Sequence, residues 1–319
     1  MADSNRVILA TLSKFVKDKL EHAYLFRTTL FSKIKETASV QYNMGGLDRR
    51  WTIKKSRNPN FEAFANFEKL NVTAVDNTVN AELDYGQYRS NDFLPFKERL
   101  QNKDQETQII DLYRQKVTDL VDDATLDLAI QAWSGSGSND TMTGLETALP
   151  DTNFTNKSYA GIAFTGNTFW QNYQLNGDGF AGSNFRTDGL IALEDAKLNV
   201  THDGASGGPS WGITTRTAYE YLGRLHSTNE RYAAETNRKM GGSGIMVHDM
   251  EIMWDANATA GLLRLMNSKF IEMGFMTEGI FKTDTEETKS PPGTLFHLLC
   301  YPLLRIKQPR YFATIHGCD

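Results

Sequence analysis

The longest helical pattern in the chain runs from Glu106 to Trp133 without an intervening glycine or proline. At 1.5 Å per residue, a helix of this length would extend roughly 40 Å. Ile110, Val121 and Trp133 widen an apolar face whose other members recur every three or four residues: Ile109, Tyr113, Val117, Leu120, Ala124 and Leu128. Aspartates occupy the remaining faces: Asp111, Asp119, Asp122, Asp123 and Asp127. We predict one long amphipathic helix with a solvated acidic side.

A second amphipathic pattern covers residues 4–36. Its apolar residues keep helical spacing from Ile8 to Ile34, and Ser4 is a suitable N-cap residue. Lysine and arginine outnumber aspartate and glutamate in this segment, although the whole chain is acidic. We predict a helical arm, in one or two pieces, that either binds a partner or folds back on its own domain.

Between these helices, residues 38–96 change to an extended pattern. A strand through Val40 and Tyr42, a turn at residues 43–46 and a returning strand at residues 50–55 predict a first hairpin. Apolar and polar residues alternate again from Val79 to Tyr85, which indicates a half-exposed strand. The segment holds too few apolar residues for a core of its own. We therefore expect a flexible insertion or an arm that lies on another surface.

The rest of the chain predicts a mixed α/β body. A glycine-serine turn follows the long helix, and Trp170 is the expected anchor of a loop-rich stretch over residues 159–185. A helix over 187–200 should turn Leu190, Leu193 and Leu198 inward. The remaining predicted elements are a strand at 210–215, a helix at 217–226, a strand at 245–255, strand-like segments at 262–266 and 270–276, an acidic loop at 284–287, a turn at 291–293, a long strand at 295–306 and a final strand at 310–315.

Composition places the chain among ordinary folded proteins, with 319 residues, 40% hydrophobic and 23% charged. Such a length holds one large domain or two small ones. No apolar run is long enough to span a membrane, and charges from Lys14 to Lys19 interrupt any signal peptide, so we expect a cytosol-like compartment. The net charge of -5 argues against a protein whose main task is to grip nucleic-acid backbone. It leaves open a surface that faces nucleic acid.

No motif in the sequence predicts catalysis, cofactor binding or metal binding. The glycines after the long helix lack the preceding strand and the Lys-Ser/Thr pair of a phosphate-binding loop. Cys300 and Cys318 have no metal-ligand spacing, and Cys300 is expected to pack as a small hydrophobic residue. A metal site at His248, Asp249, Glu251 and Asp255 is disfavoured, because His248 and Asp249 would point to opposite faces of a strand. A structural His248 is the preferred interpretation.

Several segments resemble the major capsid proteins of tailed bacteriophages that have the Hong Kong 97 fold. The sequence LDLAIQAW followed by GSGSNDTMTGL is similar to that family's spine helix, glycine-rich turn and Thr-Gly-Leu, here Thr143-Gly144-Leu145. The segment YAGI at Tyr159–Ile162, with Trp170 downstream, resembles the part after that turn. The C-terminal TLFHLLCYPLLRIKQPRYFATIHG resembles the family's long peripheral strand and final short strand. The layout of the parts matches over nearly the whole chain.

This resemblance implies an α+β protein of the Hong Kong 97 type. It implies an N-terminal arm (1–37), an extended β-hairpin loop (38–96), a peripheral domain (97–186) with its spine helix (106–133), an axial domain (187–285), and a return to the peripheral domain with the final strand (286–319). Some relatives crosslink a lysine of the extended loop to an asparagine. Lys54, Lys55 and Lys69 are candidates here, and we match neither the asparagine nor the assisting glutamate.

The implied function is that of a coat subunit without enzymatic activity, cofactor or membrane partner. It would assemble as hexamers and pentamers into an icosahedral phage head around double-stranded DNA, in the virion and, during assembly, in the host cytoplasm. Its partners would be other copies, a portal, and scaffolding or decoration proteins. Two alternatives stay open. One is an encapsulin-like nanocompartment shell, and the other is a soluble α/β enzyme or carbohydrate-binding domain that uses Trp170, Trp211 or Trp254.

Overall fold

Helices and strands are interspersed along the chain, and the long helix is the longest described element. The computed structural model describes residues 29–37, 39–46, 48–58, 60, 63, 74–101, 106–178, 184–201, 207–229 and 244–318. The helices are α1 (Thr29–Thr37), α2 (Phe96–Gln101), α3 (Glu106–Ser134), α4 (Leu145–Ala148), α5 (Phe185–Val200) and α6 (Arg216–Asn229). The strands are β1 (Ser39–Gln41), β2 (Asp48–Lys54), β3 (Thr78–Asp84), β4 (Tyr88–Pro95), β5 (Ser158–Tyr159), β6 (Ile162–Ala163), β7 (Tyr173–Asn176), β8 (Trp211–Thr214), β9 (Gly244–Val247), β10 (Met250–Trp254), β11 (Leu262–Met266), β12 (Ile271–Phe275), β13 (Lys282–Lys289), β14 (Pro292–Cys300), β15 (Pro302–Ile306) and β16 (Ala313–His316).

The long helix α3 confirms the predicted span and most of the predicted buried face. Val117, Leu120 and Val121 are buried in a cluster with side chains of β4 and β14: Leu94, Phe296 and Leu298. Burial of side chains of this size stabilises a fold by about 1.5–3 kcal/mol each. The structure does not describe the side chains of four residues of the predicted pattern: Ile109, Ile110, Asp111 and Tyr113. Helix α3 is therefore held to the sheet beneath it by its middle turns.

The C-terminal end of α3 is buried around Trp133, which is 2% exposed. The guanidinium of Arg264 on β11 lies over the Trp133 ring, 5.4 Å from its centroid. Burial lowers the pKa of Arg264 to about 10, while the charges of Glu146 and Asp151 act in the opposite direction. Arg264 therefore joins the end of the long helix to the larger sheet.

The glycine-serine segment after α3 is a tight turn, as predicted. Gly144 N donates to the carbonyl oxygen of Gly135 at 2.8 Å, and Ser136 and Thr143 form a bridge across the turn. A Cβ added to Gly144 would lie 2.6 Å from the Trp133 carbonyl oxygen, closer than real side chains approach. The close approach of the two backbones therefore requires glycine, which gives the motif a structural reason.

The sheet beneath α3 corrects two predictions about the C-terminal part of the chain. Its order is β13-β14-β4, so residues 284–287 belong to a strand and not to a loop. The threonines of β13, at 283, 285 and 288, are partly buried, while its charged residues are exposed. The predicted strand over 295–306 is two strands, because β14 ends at Cys300 and β15 begins at Pro302 in another sheet. Proline lacks the N–H that a continued ladder would need. Cys300 is buried, as predicted.

The larger sheet has the order β7-β16-β11-β8-β10-β9, and α5 and α6 pack on it. The predicted strand at 245–255 is instead a hairpin, because His248 and Asp249 form its turn with φ values of 48° and 62°. Two positive φ values are typical of two-residue hairpin turns. His248 is therefore exposed in a turn and is not a packed structural histidine. Leu193 of α5 is buried as predicted, whereas Leu198 is 67% exposed, against the prediction.

The N-terminal strand β1 does not form the predicted hairpin with the strand at 50–55. It pairs in parallel with β12, in a three-stranded sheet of order β1-β12-β15. The segment after β1 hydrogen-bonds to the same neighbourhood, with Asn43 N donating to Thr277 O at 3.0 Å. The real hairpin is formed by β2 and β3, which pair antiparallel from Asp48↔Asp84 to Lys54↔Thr78.

Helix α1 is the only part of the predicted arm that falls within the described residues, and it packs on the body of its own chain. Leu30, Phe31 and Ile34 are at most 1% exposed. Leu30 N donates to the Asp255 carboxylate at 3.1 Å, and Lys33 forms an ion pair with Glu251 of β10. Residues 4–28 of the predicted arm lie outside the described part.

Candidate assembly surfaces

The β2–β3 hairpin is fixed to the body along one face. Trp51 Nε1 donates to the carbonyl oxygen of Lys307 at 2.9 Å. The Arg305 guanidinium lies over the Trp51 ring at 5.3 Å, and Trp170, fully buried as predicted, lies 6.4 Å away. The opposite face is open, where Arg50 and Glu82 form an exposed ion pair. The hairpin is therefore anchored at its base, and its opposite face is exposed among the residues that the structure describes.

A buried carboxylate ties the hairpin to the sheet beside it. Glu272 of β12 is 2% exposed and is hydrogen-bonded by Arg305; Lys307 lies 3.1 Å and Arg49 of β2 lies 3.5 Å from its oxygens. Burial alone would raise the pKa of Glu272. The hydrogen bonds and charges of Arg305 and Lys307 outweigh burial and hold the pKa below its ordinary value. The carboxylate is therefore stabilised in its charged form.

We predict that Glu272→Gln destabilises the fold by about 3 kcal/mol at pH 7, because it leaves Arg305 buried without a counter-charge. A lowered folded pKa contributes stability above the ordinary carboxyl pKa of 4.5, and this contribution is lost as the pH falls through the folded pKa. Urea unfolding at pH 7 and pH 3 should therefore show a difference between variant and wild type that shrinks at pH 3.

The exposed pair of the same hairpin provides the control for this prediction. Glu82→Gln removes a solvated ion pair and should change the free energy of unfolding by less than about 1 kcal/mol. An equal loss for Glu272→Gln at both pH values would contradict the assigned role of Glu272.

A basic cleft of about 620 Å³ separates the hairpin from the body. Seven of its fourteen lining residues are lysine or arginine, and none is acidic. The hairpin contributes residues 51–57, and the body contributes residues from 269–270 and 305–311. An aromatic wall is formed by Phe270 and Tyr311, whose rings stack at 4.2 Å. The cleft is therefore suited to an anionic partner that also carries apolar groups.

The outer face of α3 carries an acidic stripe, which we define as Asp119, Asp123, Leu126, Asp127 and Ile130. The three aspartates are exposed, as predicted, and lie four residues apart. Leu126 and Ile130 are 49% and 48% exposed. Two neighbouring large apolar side chains on a solvated face are a feature of interaction surfaces.

Further apolar residues are exposed around the larger sheet. Ile191 and Leu198 of α5 are 56% and 67% exposed and share a helical face seven residues apart. Strand β9 lies at an edge of the sheet, with Met246 at 48% exposure. Edge strands offer unpaired backbone groups to a neighbour. This exposed face of α5 could not be predicted from the sequence, because helical spacing does not distinguish an outward leucine from an inward one.

The residues weighed for metal or sugar binding are not brought together. His248 and Asp249 lie in an exposed turn, whereas Glu251 pairs with Lys33 and Asp255 accepts hydrogen bonds from Leu30 N and Asn257 N. Within the described ranges, no three potential metal ligands cluster. Trp170 and Trp211 are fully buried, so neither forms a sugar-binding platform. Across the same ranges, no helix is long and apolar enough to cross a membrane.

Solved structures share this arrangement of elements over most of the chain. The capsid asymmetric unit of cyanophage A-1(L) superposes with a TM-score of 0.64 at 13% identity, covering 90% of this chain and 92% of that one. The chain has the Hong Kong 97 fold. The fold class predicted from the resemblance is thereby confirmed.

The same fold occurs in the subunits of two further particles. The capsid of the native GTA particle gives a TM-score of 0.57 at 10% identity, covering 90% of each chain. The holo-SrpI encapsulin complex from Synechococcus elongatus gives 0.56 at 10% identity, covering 90% of this chain and 87% of that one. No protein-family model and no curated protein matches the sequence.

Two of the three candidate crosslinking lysines lie within the described residues. Lys54 ends β2 with an exposed side chain, and Lys55 pairs with Asp76 at 3.1 Å. This hydrogen bond holds the pKa of Asp76 below its ordinary value. Lys69 lies outside the described residues.

Proposed function

We propose that this chain is the major capsid protein of a tailed bacteriophage, assembling as hexamers and pentamers into an icosahedral head around double-stranded DNA. The observation that carries the proposal is the match to the cyanophage capsid subunit over 90% of this chain and 92% of that one. Catalysis plays no part in this function. The protein would be located in the virion and, during assembly, in the host cytoplasm.

Exposed surfaces of the chain support a function in which neighbouring copies cover them. The hairpin has one open face, α3 exposes Leu126 and Ile130, and α5 exposes Ile191 and Leu198. Surfaces of this kind gain stability when apolar area is buried, at roughly 25 cal/mol per Å². Many repeated contacts can close a shell even when each one is modest.

We assign assembly roles to the parts on the same basis. Residues 1–37 would form the arm, 38–96 the extended loop that overlies a neighbour, 97–186 and 286–319 the peripheral domain, and 187–285 the axial domain at the capsomer centre. Helix α1 and strand β1 pack on their own chain. Among the described residues, the exposed face of the hairpin is therefore available to contact a neighbour. Portal, scaffolding and decoration proteins remain predicted partners.

A nanocompartment shell is the second candidate, favoured by the match to the encapsulin subunit. The contents of the particle separate the two functions. We expect nuclease-treated particles, purified from cells that make this chain naturally, to release protected double-stranded DNA when the shell is disrupted. Particles that hold a protein cargo and no DNA would contradict the capsid proposal and favour the nanocompartment.

A further inference from the structure

The basic cleft carries positive charge that is only partly paired with carboxylates among the described residues. Arg305 and Lys307 share the single carboxylate of Glu272, and Lys55 pairs with Asp76. Three other cations of the cleft, Lys54, Arg57 and Arg310, form no ion pair with any residue that the structure describes. Because they stand around the aromatic wall, the cleft combines net positive charge with apolar surface.

The acidic stripe of α3 has the complementary character. Asp119, Asp123 and Asp127 repeat at four-residue spacing, and like charges at this spacing destabilise a helix unless a cation lies nearby. None of the three forms an ion pair within the described ranges. Leu126 and Ile130 lie among them, exposed by about half. The stripe therefore offers carboxylates and aliphatic groups together.

We propose that the basic cleft of one copy receives the acidic stripe of a second copy. Lys54, Arg57 and Arg310 would pair with the aspartates, while Leu126 and Ile130 would contact the aromatic wall. No residue of α3 lines the cleft of its own chain. This inference rests on the proposed function, which requires contacts between identical subunits.

The geometry of the contact accounts for ring formation. The cleft and the stripe are different surfaces, so the contact is heterologous, and a pair of copies keeps one free cleft and one free stripe. Heterologous contacts generate closed rings when the rotation between neighbours closes. A single cleft-to-stripe contact, repeated with small angular changes, would therefore build both five- and six-membered rings.

Disulfide trapping tests the contact directly. The native cysteines are both buried, so the pair Arg57→Cys with Asp127→Cys reports on the interface alone. Mild oxidation of assembled particles should give a reductant-sensitive ladder of covalent oligomers. The single variants, and Arg57→Cys combined with Glu194→Cys on α5, should give no ladder. If particles of the variant with Arg57→Cys and Asp127→Cys assemble but give no ladder, the proposed contact is wrong. The proposed function would be unaffected by that result.

Charge exchange provides a second, independent test. Lys54→Glu with Arg57→Glu, or Asp123→Lys with Asp127→Lys, should raise the concentration needed for assembly by about tenfold or more, because like charges then meet. A chain that carries all four substitutions should assemble at the same concentration as the wild type. The substituted side chains are exposed, and circular dichroism should confirm unchanged folding.

Two outcomes of the charge exchange would overturn the inference. Normal assembly of both charge-reversed variants would show that the two surfaces do not meet. Normal assembly of the cleft variant with loss of packaged DNA would show that the cleft faces nucleic acid. A wild-type chain that forms no rings or shells would instead contradict the proposed function itself, so the two failures are distinguishable.

Discussion

A chain that lacks residues 1–36 should not fold, whereas a chain that lacks only residues 1–28 should fold. The longer deletion removes Leu30, Phe31 and Ile34, which are at most 1% exposed in the core. Removing such a side chain costs about 2–5 kcal/mol. Three together approach the whole net stability of a typical domain, about 5–15 kcal/mol.

The shorter deletion is the matched control, because it keeps α1 and its hydrogen bond from Leu30 N to Asp255. Circular dichroism and urea unfolding should show a cooperative transition for this variant and none for the longer deletion. If residues 1–28 form the assembling arm, the shorter variant should fold yet yield fewer shells. Equal stability of the two truncated chains would contradict the role given to α1.

Val117→Lys should also prevent folding. Val117 is 5% exposed and packs in an apolar cluster with Leu94, Phe296 and Leu298. An unpaired buried charge is among the mechanisms that destabilise by more than about 4 kcal/mol. We expect insoluble protein on expression, and no cooperative unfolding transition in any soluble fraction.

Thr118→Lys tests whether position or charge is responsible. Thr118 is the next residue of α3 and is exposed, so its substitution should change the free energy of unfolding by no more than about 0.5 kcal/mol. Shells of normal stability formed by Val117→Lys would show that α3 is not held by its apolar face.

The local part of the fold could be predicted from the sequence, because it depends on short-range patterns. Helix α3 has an uninterrupted helical period, and Gly135 and Gly144 mark the turn that follows it. The order of these parts was enough to indicate the Hong Kong 97 fold, which the structural matches bear out.

Long-range pairing could not be predicted, because it depends on residues far apart in the chain. Strand β1 pairs with β12, more than 200 positions away, and nothing near Val40 indicates that partner. The charges of β13 predict a loop, because the sequence does not show that the threonines between them are partly buried.

The basic cleft and the exposed face of α5 could not be predicted for the same reason. The basic cleft combines residues 51–57 with residues 305–311, and only the folded chain brings them together. The exposure of Leu198 depends on which face of α5 the sheet covers. The helical spacing of Leu198 is consistent with an inward or an outward side chain.

Electron microscopy of the purified protein tests the central claim most directly. We expect capsomers with five- and sixfold symmetry, and closed shells when assembly is promoted, with or without a scaffolding protein. A uniform 35.9 kDa monomer that forms neither capsomers nor shells under any of these conditions would contradict the claim.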